Sequence, residues 1–193
     1  MSLVFDSDDM GCNHIISEMT QSHDCRDALN TFKKENPKFK ATLFTIPGEM
    51  TVELIEWSAI NRDWIELAWH GFFHRSNYEC EKMSYEEFDS KMKGFNQLFG
   101  DFFVKGFKAP GWMISDDIYR WLIDNDYWVA DQPYNDERRP KELKVYKVGE
   151  NSIHTHTWDV GKVGSDPNGV YEYGEEIIKL SKGKDFKFVS EVV

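Results

Sequence analysis

Short apolar runs alternate with longer stretches of helical period along this chain, and that alternation predicts a parallel α/β architecture. Strands are expected at Leu3–Ser7, Lys40–Ile46, Trp64–Trp69, Val104–Lys108, Tyr127–Asp131, Leu143–Val148, Ser152–Trp158 and Phe186–Val189. Helical patterns fill the intervals. Asp24–Glu35 stops at Asn36-Pro37, where proline removes a donor and disfavours helix at the residue before it. Thr51–Asn61 opens on Thr51 as N-cap. Tyr85–Phe99 follows Ser84, with Glu87 three residues on, a capping box. Asp116–Asn125 follows Ser115, and Glu172–Ser181 ends near Gly183. The stripe Phe88, Met92, Phe95 and Phe99 keeps helical spacing and reads as core. Gln132–Lys141 is polar, holds Pro133 and Pro140, and reads as an excursion loop. No repeat or linker divides the chain, so residues 1–193 are expected to form a single domain.

Composition narrows the partners. Aromatic residues make up 15% of the chain, with seven Trp and fourteen Phe, enough for a large core or a ring-stacking cleft. The net charge of −11, without a basic block, argues against nucleic acid and against an anionic membrane surface. No apolar stretch approaches the ~20 residues of a membrane span. Met1–Asp6 has neither a basic n-region nor an apolar h-region. Cys12, Cys25 and Cys80 are an odd set without C-x-x-C spacing and read as reduced thiols. Together these features set the expectation of a cytoplasmic protein. Cys80, six residues past His74, is a minor ligand candidate. The oligomeric state is not legible.

In parallel α/β folds ligands collect at the carboxyl ends of the strands. Here those ends carry Asp6-Ser7-Asp8-Asp9, His70-Gly71-Phe72-Phe73-His74, Lys108-Ala109-Pro110-Gly111-Trp112, Asp131, and the pair His154 and His156. His70 and His74 can address one point if the chain turns helically after the strand, and imidazole is the commonest protein ligand for a divalent metal. With one aspartate from the first strand they would make the three-ligand set of a catalytic zinc site. Such a metal polarises an acyl oxygen and lowers the pKa of water. A second, non-ligating aspartate would serve as general base, and His156 or His154 would protonate the leaving group. The implied chemistry is metal-assisted hydrolysis of an amide or ester. An HExxH zincin is excluded because Gly71 stands where its glutamate is needed. His154-Thr155-His156 comes too late in the chain for the HxH of amidohydrolase barrels.

Asp8-Asp9-Met10-Gly11, His70-x-x-x-His74, Lys108-Ala109-Pro110-Gly111-Trp112 and His154-Thr155-His156, in that order and spacing, resemble the polysaccharide deacetylases. These are the NodB-homology group, carbohydrate esterase family 4, with its shorter YdjC-like relatives. The resemblance runs from Leu3 to about Trp158. It implies a distorted (β/α) barrel of NodB type with about seven parallel strands, and removal of acetyl groups from N-acetylated sugars with a divalent metal, most often zinc. It implies Asp8 as base, Asp9, His70 and His74 as metal ligands, and His156 as general acid, with His154 second. A rival register, with Asp6 as base and Asp8 as ligand, is disfavoured because Met10-Gly11 follow as in D-D-x-G. Pro110 and Trp112 would line the cleft beside Lys108. Asp131 would orient the base or the third-motif cation, and Trp112, with Trp128 or Trp158, would stack on a sugar ring.

Two positions depart from the pattern. Gly71 stands where the family has Ser or Thr, and Lys108 where it has Arg, a point charge in place of a planar fork. Both weaken the polymer substrate more than the metal chemistry. The substrate is therefore expected to be a small molecule or oligosaccharide, such as a small N-acetyl sugar or a nucleotide-linked sugar. The alternatives are a metal-dependent hydrolase of a non-sugar amide and a non-catalytic carbohydrate-binding protein of the same fold.

Overall fold

The computed structural model describes residues 2–12, 24–148, 152–157 and 173–193. Trp158 and Glu172, the ends of two expected elements, lie outside them. The elements run β1 (Leu3–Met10), α1 (Arg26–Glu35), β2 (Ala41–Thr45), α2 (Val52–Ile60), β3 (Ile65–His70), α3 (Tyr85–Phe99), β4 (Phe103–Lys108), α4 (Asp116–Asp124), β5 (Trp128–Asp131), β6 (Val145–Lys147), β7 (Ser152–His156), α5 (Tyr173–Ser181) and β8 (Phe186–Lys187). Thr51, Ser84 and Ser115 each accept a hydrogen bond from the backbone N–H three residues on, which starts α2, α3 and α4 where the sequence places them.

All strand pairs are parallel, in the order β6-β5-β4-β3-β2-β1-β7, with β8 also on β1. Alternation sorts the side chains onto two faces. Phe5, Leu43, Leu67 and Phe107 pack outward against Leu29 and Phe32 of α1, Phe88 and Met92 of α3 and Leu122 of α4. Val4, Phe44, Ala68, Trp128, Ala130 and Tyr146 form a second cluster on the inner face.

Contacts across that inner face prove the curl. In a flat sheet β6 and β1, five positions apart, would be separated by roughly 24 Å. Yet the Tyr146 hydroxyl donates to Asp6 Oδ2 at 2.6 Å, and Phe44 of β2 meets Trp128 of β5 edge-on at 6.0 Å. Gly106 permits this closure: a Cβ there would lie 2.0 Å from the Trp128 ring. The sheet is a curled half-barrel, plugged by aromatic rings. No helix among the described residues is long and apolar enough to cross a membrane.

Candidate metal centre and active site

The first strand continues past its expected end at Ser7 to Met10. Two of its acidic residues, Asp6 and Asp8, can stay inside the sheet because each has a partner. Asp6 accepts from the Tyr146 hydroxyl and from His154 Nδ1–H at 2.5 Å, and Asp8 accepts from Lys108 Nζ at 2.6 Å. Consecutive strand residues should point to opposite faces. Here the register against β2 slips between Ser7 and Met10, and Asp9 takes a left-handed backbone, φ 66°. That bulge turns Asp8 and Asp9 toward the same cleft.

His70 ends β3. The chain then reverses through left-handed residues at Gly71 (φ 55°) and His74 (φ 48°) rather than through a helical turn. The two imidazoles end 4.8 Å apart between ring centroids. Asp9 Oδ1 lies 3.3 Å from His70 Nε2 and 3.4 Å from His74 Nε2. All three residues are buried, and Asp9 Oδ1 has no hydrogen-bond partner among the described residues. His70 Nδ1–H donates to the Lys108 carbonyl at 3.1 Å, so Nε2 keeps its lone pair toward Asp9. A carboxylate oxygen and two imidazole nitrogens converging on one buried point, away from water, suit a divalent cation. Burial lowers the pKa of His74, and His70 adds to that effect. Burial also disfavours charge on His70, but the Asp9 and Asp8 carboxylates outweigh it and hold that ring above its ordinary value.

Asp6, Asp8 and His154 form a second group of possible ligands. Its Asp8 carboxylate is already paired, because Lys108 Nζ contacts both Asp8 oxygens. Burial alone would raise the pKa of Asp8. Lys108, His70, His154 and His156 overcome that and hold the carboxyl far below the usual range. Asp8 is therefore ionised. His156 sits opposite Asp8 in the β1–β7 register, and burial lowers its pKa against the pull of Asp8 and Asp9.

The resulting cleft has a volume of about 190 Å³ and is lined by Asp8, Asp9, His70, His74, Asn77, Lys108, Trp112 and His156, among others. Of the predicted substrate contacts, Lys108 and Trp112 line this cleft, and Pro110, His154 and Asp131 do not. Lys108 lines the cleft, but its ammonium is buried, held by Asp8 and capped by the Trp112 ring at 3.9 Å. Pro110 is buried beneath the surface against Gly71. His154 sits on Asp6, with its Nε2 3.9 Å from Asp8 Oδ2 and its ring 6.0 Å from Trp112. Asp131 is a correction. Trp128 and Ala130 take the inward positions of β5, so Asp131 faces outward and accepts from Tyr119, Asn135, Arg139 and the Gln132 amide. It orients neither the base nor Lys108. Trp128 plugs the barrel and cannot stack on a sugar, and Trp158 lies outside the described residues. Cys80 is buried, and burial pushes its thiol up. It is not part of the Asp9, His70 and His74 cluster.

Sequence reasoning missed Tyr146, Asn77 and Glu79. The Glu79 carboxylate accepts from three backbone amides of the His70–His74 turn. No motif signals any of the three: Tyr146 acts across the sheet on Asp6, and Glu79 acts within a loop whose folding has no sequence signature.

Comparison of the sequence with family models and with curated proteins finds no match. The fold does match solved structures. A family 4 acetyl xylan esterase from Clostridium thermocellum, in complex with a cobalt ion, superposes with a TM-score of 0.59 at 16% identity, covering 98% of this chain and 88% of that one. A family 4 carbohydrate esterase from Streptomyces lividans, in complex with acetate, gives 0.60 at 12% identity over 96% and 90%. A family 4 pseudoenzyme from Bacillus anthracis gives 0.56 at 13% identity over 98% and 64%. The chain shares the carbohydrate esterase family 4 fold with active and inactive proteins alike.

Proposed function

We propose that this protein is a metal-dependent hydrolase that removes an acetyl group from an N-acetylated carbohydrate. The observation that carries this reading is the buried convergence of Asp9 Oδ1, His70 Nε2 and His74 Nε2 beside an ionised, non-ligating Asp8. The cobalt-bound relative of the same fold supports a divalent metal here, and zinc suits the Asp-His-His donor set. Bound in that triad, the cation would polarise the acyl oxygen and acidify water at the cleft.

The chain's own groups supply the rest. Asp8, ionised by Lys108, takes the proton of the attacking water. His156, in the cleft opposite Asp8, protonates the amine nitrogen as the C–N bond breaks, and acetate leaves. A non-sugar amide is the second reading, favoured by the volume of about 190 Å³, below the usual range for ligand pockets.

The test uses purified full-length protein. About one equivalent of zinc is expected in the wild type and none in His74→Ala, or in Asp9→Asn should the first variant misfold. Asp8→Asn is expected to keep the metal and lose acetate release from chitooligosaccharides. Zinc-free wild type after reconstitution, or unchanged turnover in Asp8→Asn, overturns the assignment. Cleavage of another amide with no acetate release would select the second reading.

A further inference from the structure

The two histidines of the proposed centre are secured unequally. Metal-binding imidazoles are ordinarily oriented by a hydrogen bond on the ring nitrogen that faces away from the metal. His70 has one, from Nδ1 to the Lys108 carbonyl. His74 does not: its Nδ1 is buried and has no hydrogen-bond partner among the described residues. The backbone that carries the ring therefore takes a larger part in placing it.

That backbone is clamped. After Gly71 the N–H groups of Phe72, Phe73 and His74 turn to the same side and donate to one carboxylate, that of Glu79, at 3.0, 3.1 and 3.2 Å. Successive amides converging in this way form a nest that suits an anion, and here the chain supplies the anion itself. The fit depends on Gly71. A Cβ at that position would lie 2.4 Å from Glu79 Oε2 and 2.6 Å from Pro110 Cγ, and φ there is already +55°. The space that a side chain at 71 would fill is taken by Glu79.

We infer that Glu79 is a positioning residue for the metal centre, holding His74 through its backbone in place of the missing bond on Nδ1. The inference rests on the reading of Asp9, His70 and His74 as metal ligands. Without Glu79 three amides lose their acceptor, the left-handed turn relaxes, and His74 Nε2 drifts from Asp9.

The experiment measures zinc affinity by chelator competition on the full chain, with the visible spectrum of the cobalt-substituted protein and the unfolding midpoint of the metal-free protein. Glu79→Ala is expected to weaken zinc binding by about 10–100-fold and to change the cobalt spectrum, while the metal-free protein still unfolds cooperatively. Glu79→Gln keeps one acceptor oxygen and is expected to recover part of that loss; it also serves as the test variant should Glu79→Ala fail to fold. Unchanged zinc affinity and cobalt spectrum in a folded Glu79→Ala overturns the role of Glu79 and leaves the centre standing. Affinity losses in both variants that only mirror losses in metal-free stability overturn it too, making Glu79 a fold contact. A wild type that binds no zinc overturns the reading beneath it.

Discussion

Replacing Lys108 by methionine removes the counter-charge of Asp8 while keeping most of the side-chain volume. The Lys108 side chain is 1% exposed and that of Asp8 5%, so neither charge is screened by water. The ammonium lies 2.6 Å from Asp8 Oδ1, touches Oδ2, and sits 3.9 Å from the centroid of Trp112 and 5.0 Å from that of Phe44. Attraction within such a pair is largely offset by the cost of desolvating it, but removing one partner leaves an uncompensated buried charge at about 3–5 kcal/mol. Loss of the cation–π contacts adds about 1 kcal/mol, partly offset because methionine packs well on both rings. His154 Nε2, 3.9 Å from Asp8 Oδ2, provides some compensation. The net expectation is a loss of about 3 kcal/mol, or a fall in Tm of roughly 6–12 °C for a chain of this size.

The assay is denaturant unfolding of metal-free wild type, Lys108→Met, Asp8→Asn and the double variant. The double variant carries no unpaired charge, so its destabilisation should fall short of the summed singles by about 2 kcal/mol. The pH dependence gives a second check. In the wild type the Asp8 pKa is depressed, so its contribution is present above the ordinary carboxylate value and lost as pH falls through the depressed one. In Lys108→Met burial dominates and the pKa rises, so the variant gains stability as pH falls. The deficit should therefore be smaller near pH ~4 than at pH ~7. Additive single effects, each below about 1 kcal/mol, or a deficit independent of pH, would refute the pairing as a structural necessity.

Asp131→Asn should cost about 1–3 kcal/mol of stability, while kcat and KM per folded molecule stay unchanged, because Asp131 faces Tyr119 and Arg139 rather than the cleft. A large fall in kcat in the folded variant would return Asp131 to the site. Burial raises the pKa of Glu66 above its ordinary 4.5, against donors from Ser190 and Thr42. Its contribution is therefore complete below the ordinary value and lost as pH rises through the raised one. Glu66→Gln should flatten that part of the stability curve, and coincident curves would contradict it. Gly106→Ala places a methyl inside the Trp128 ring and should destabilise by about 1–3 kcal/mol through overpacking. Trp128→Phe in the same chain should restore part of the loss, and no rescue would count against the plug.

The strands were legible because their apolar runs are short and bounded, and α2, α3 and α4 because Thr51, Ser84 and Ser115 carry the chemistry of a cap. Acidity hid the end of β1. Asp6 and Asp8 read as a polar strand terminus, yet Tyr146, His154 and Lys108 pair with them from strands far off in sequence, and no local window contains those partners. Asp131 misled for the opposite reason. Its position at a strand end was read correctly, but its face is set by two-residue alternation from Trp128, whose inward direction depends on the room left by Gly106. The bulge at Asp9 and the left-handed turn at Gly71 and His74 are backbone facts. The polar strand ends and the family pattern hinted at the residues they bring together, but not at the backbone that does it.

The two departures from that pattern follow the same logic. A guanidinium at position 108 could bind Asp8 and still direct spare donors into the cleft. The Lys108 ammonium touches both Asp8 oxygens and lies under the Trp112 ring, so it serves the proposed base and has little left for a ligand. At position 71 a side-chain hydroxyl is replaced by the Glu79 carboxylate, reaching in from outside the motif. In both places the support of the proposed catalytic groups is built with different atoms, and at position 108 spare donors toward the cleft are given up. On the proposed function, recognition would fall to Asn77, His156 and the exposed part of Trp112, around a cleft of about 190 Å³. That geometry favours a substrate gripped close to its acyl group over one read along an extended polymer.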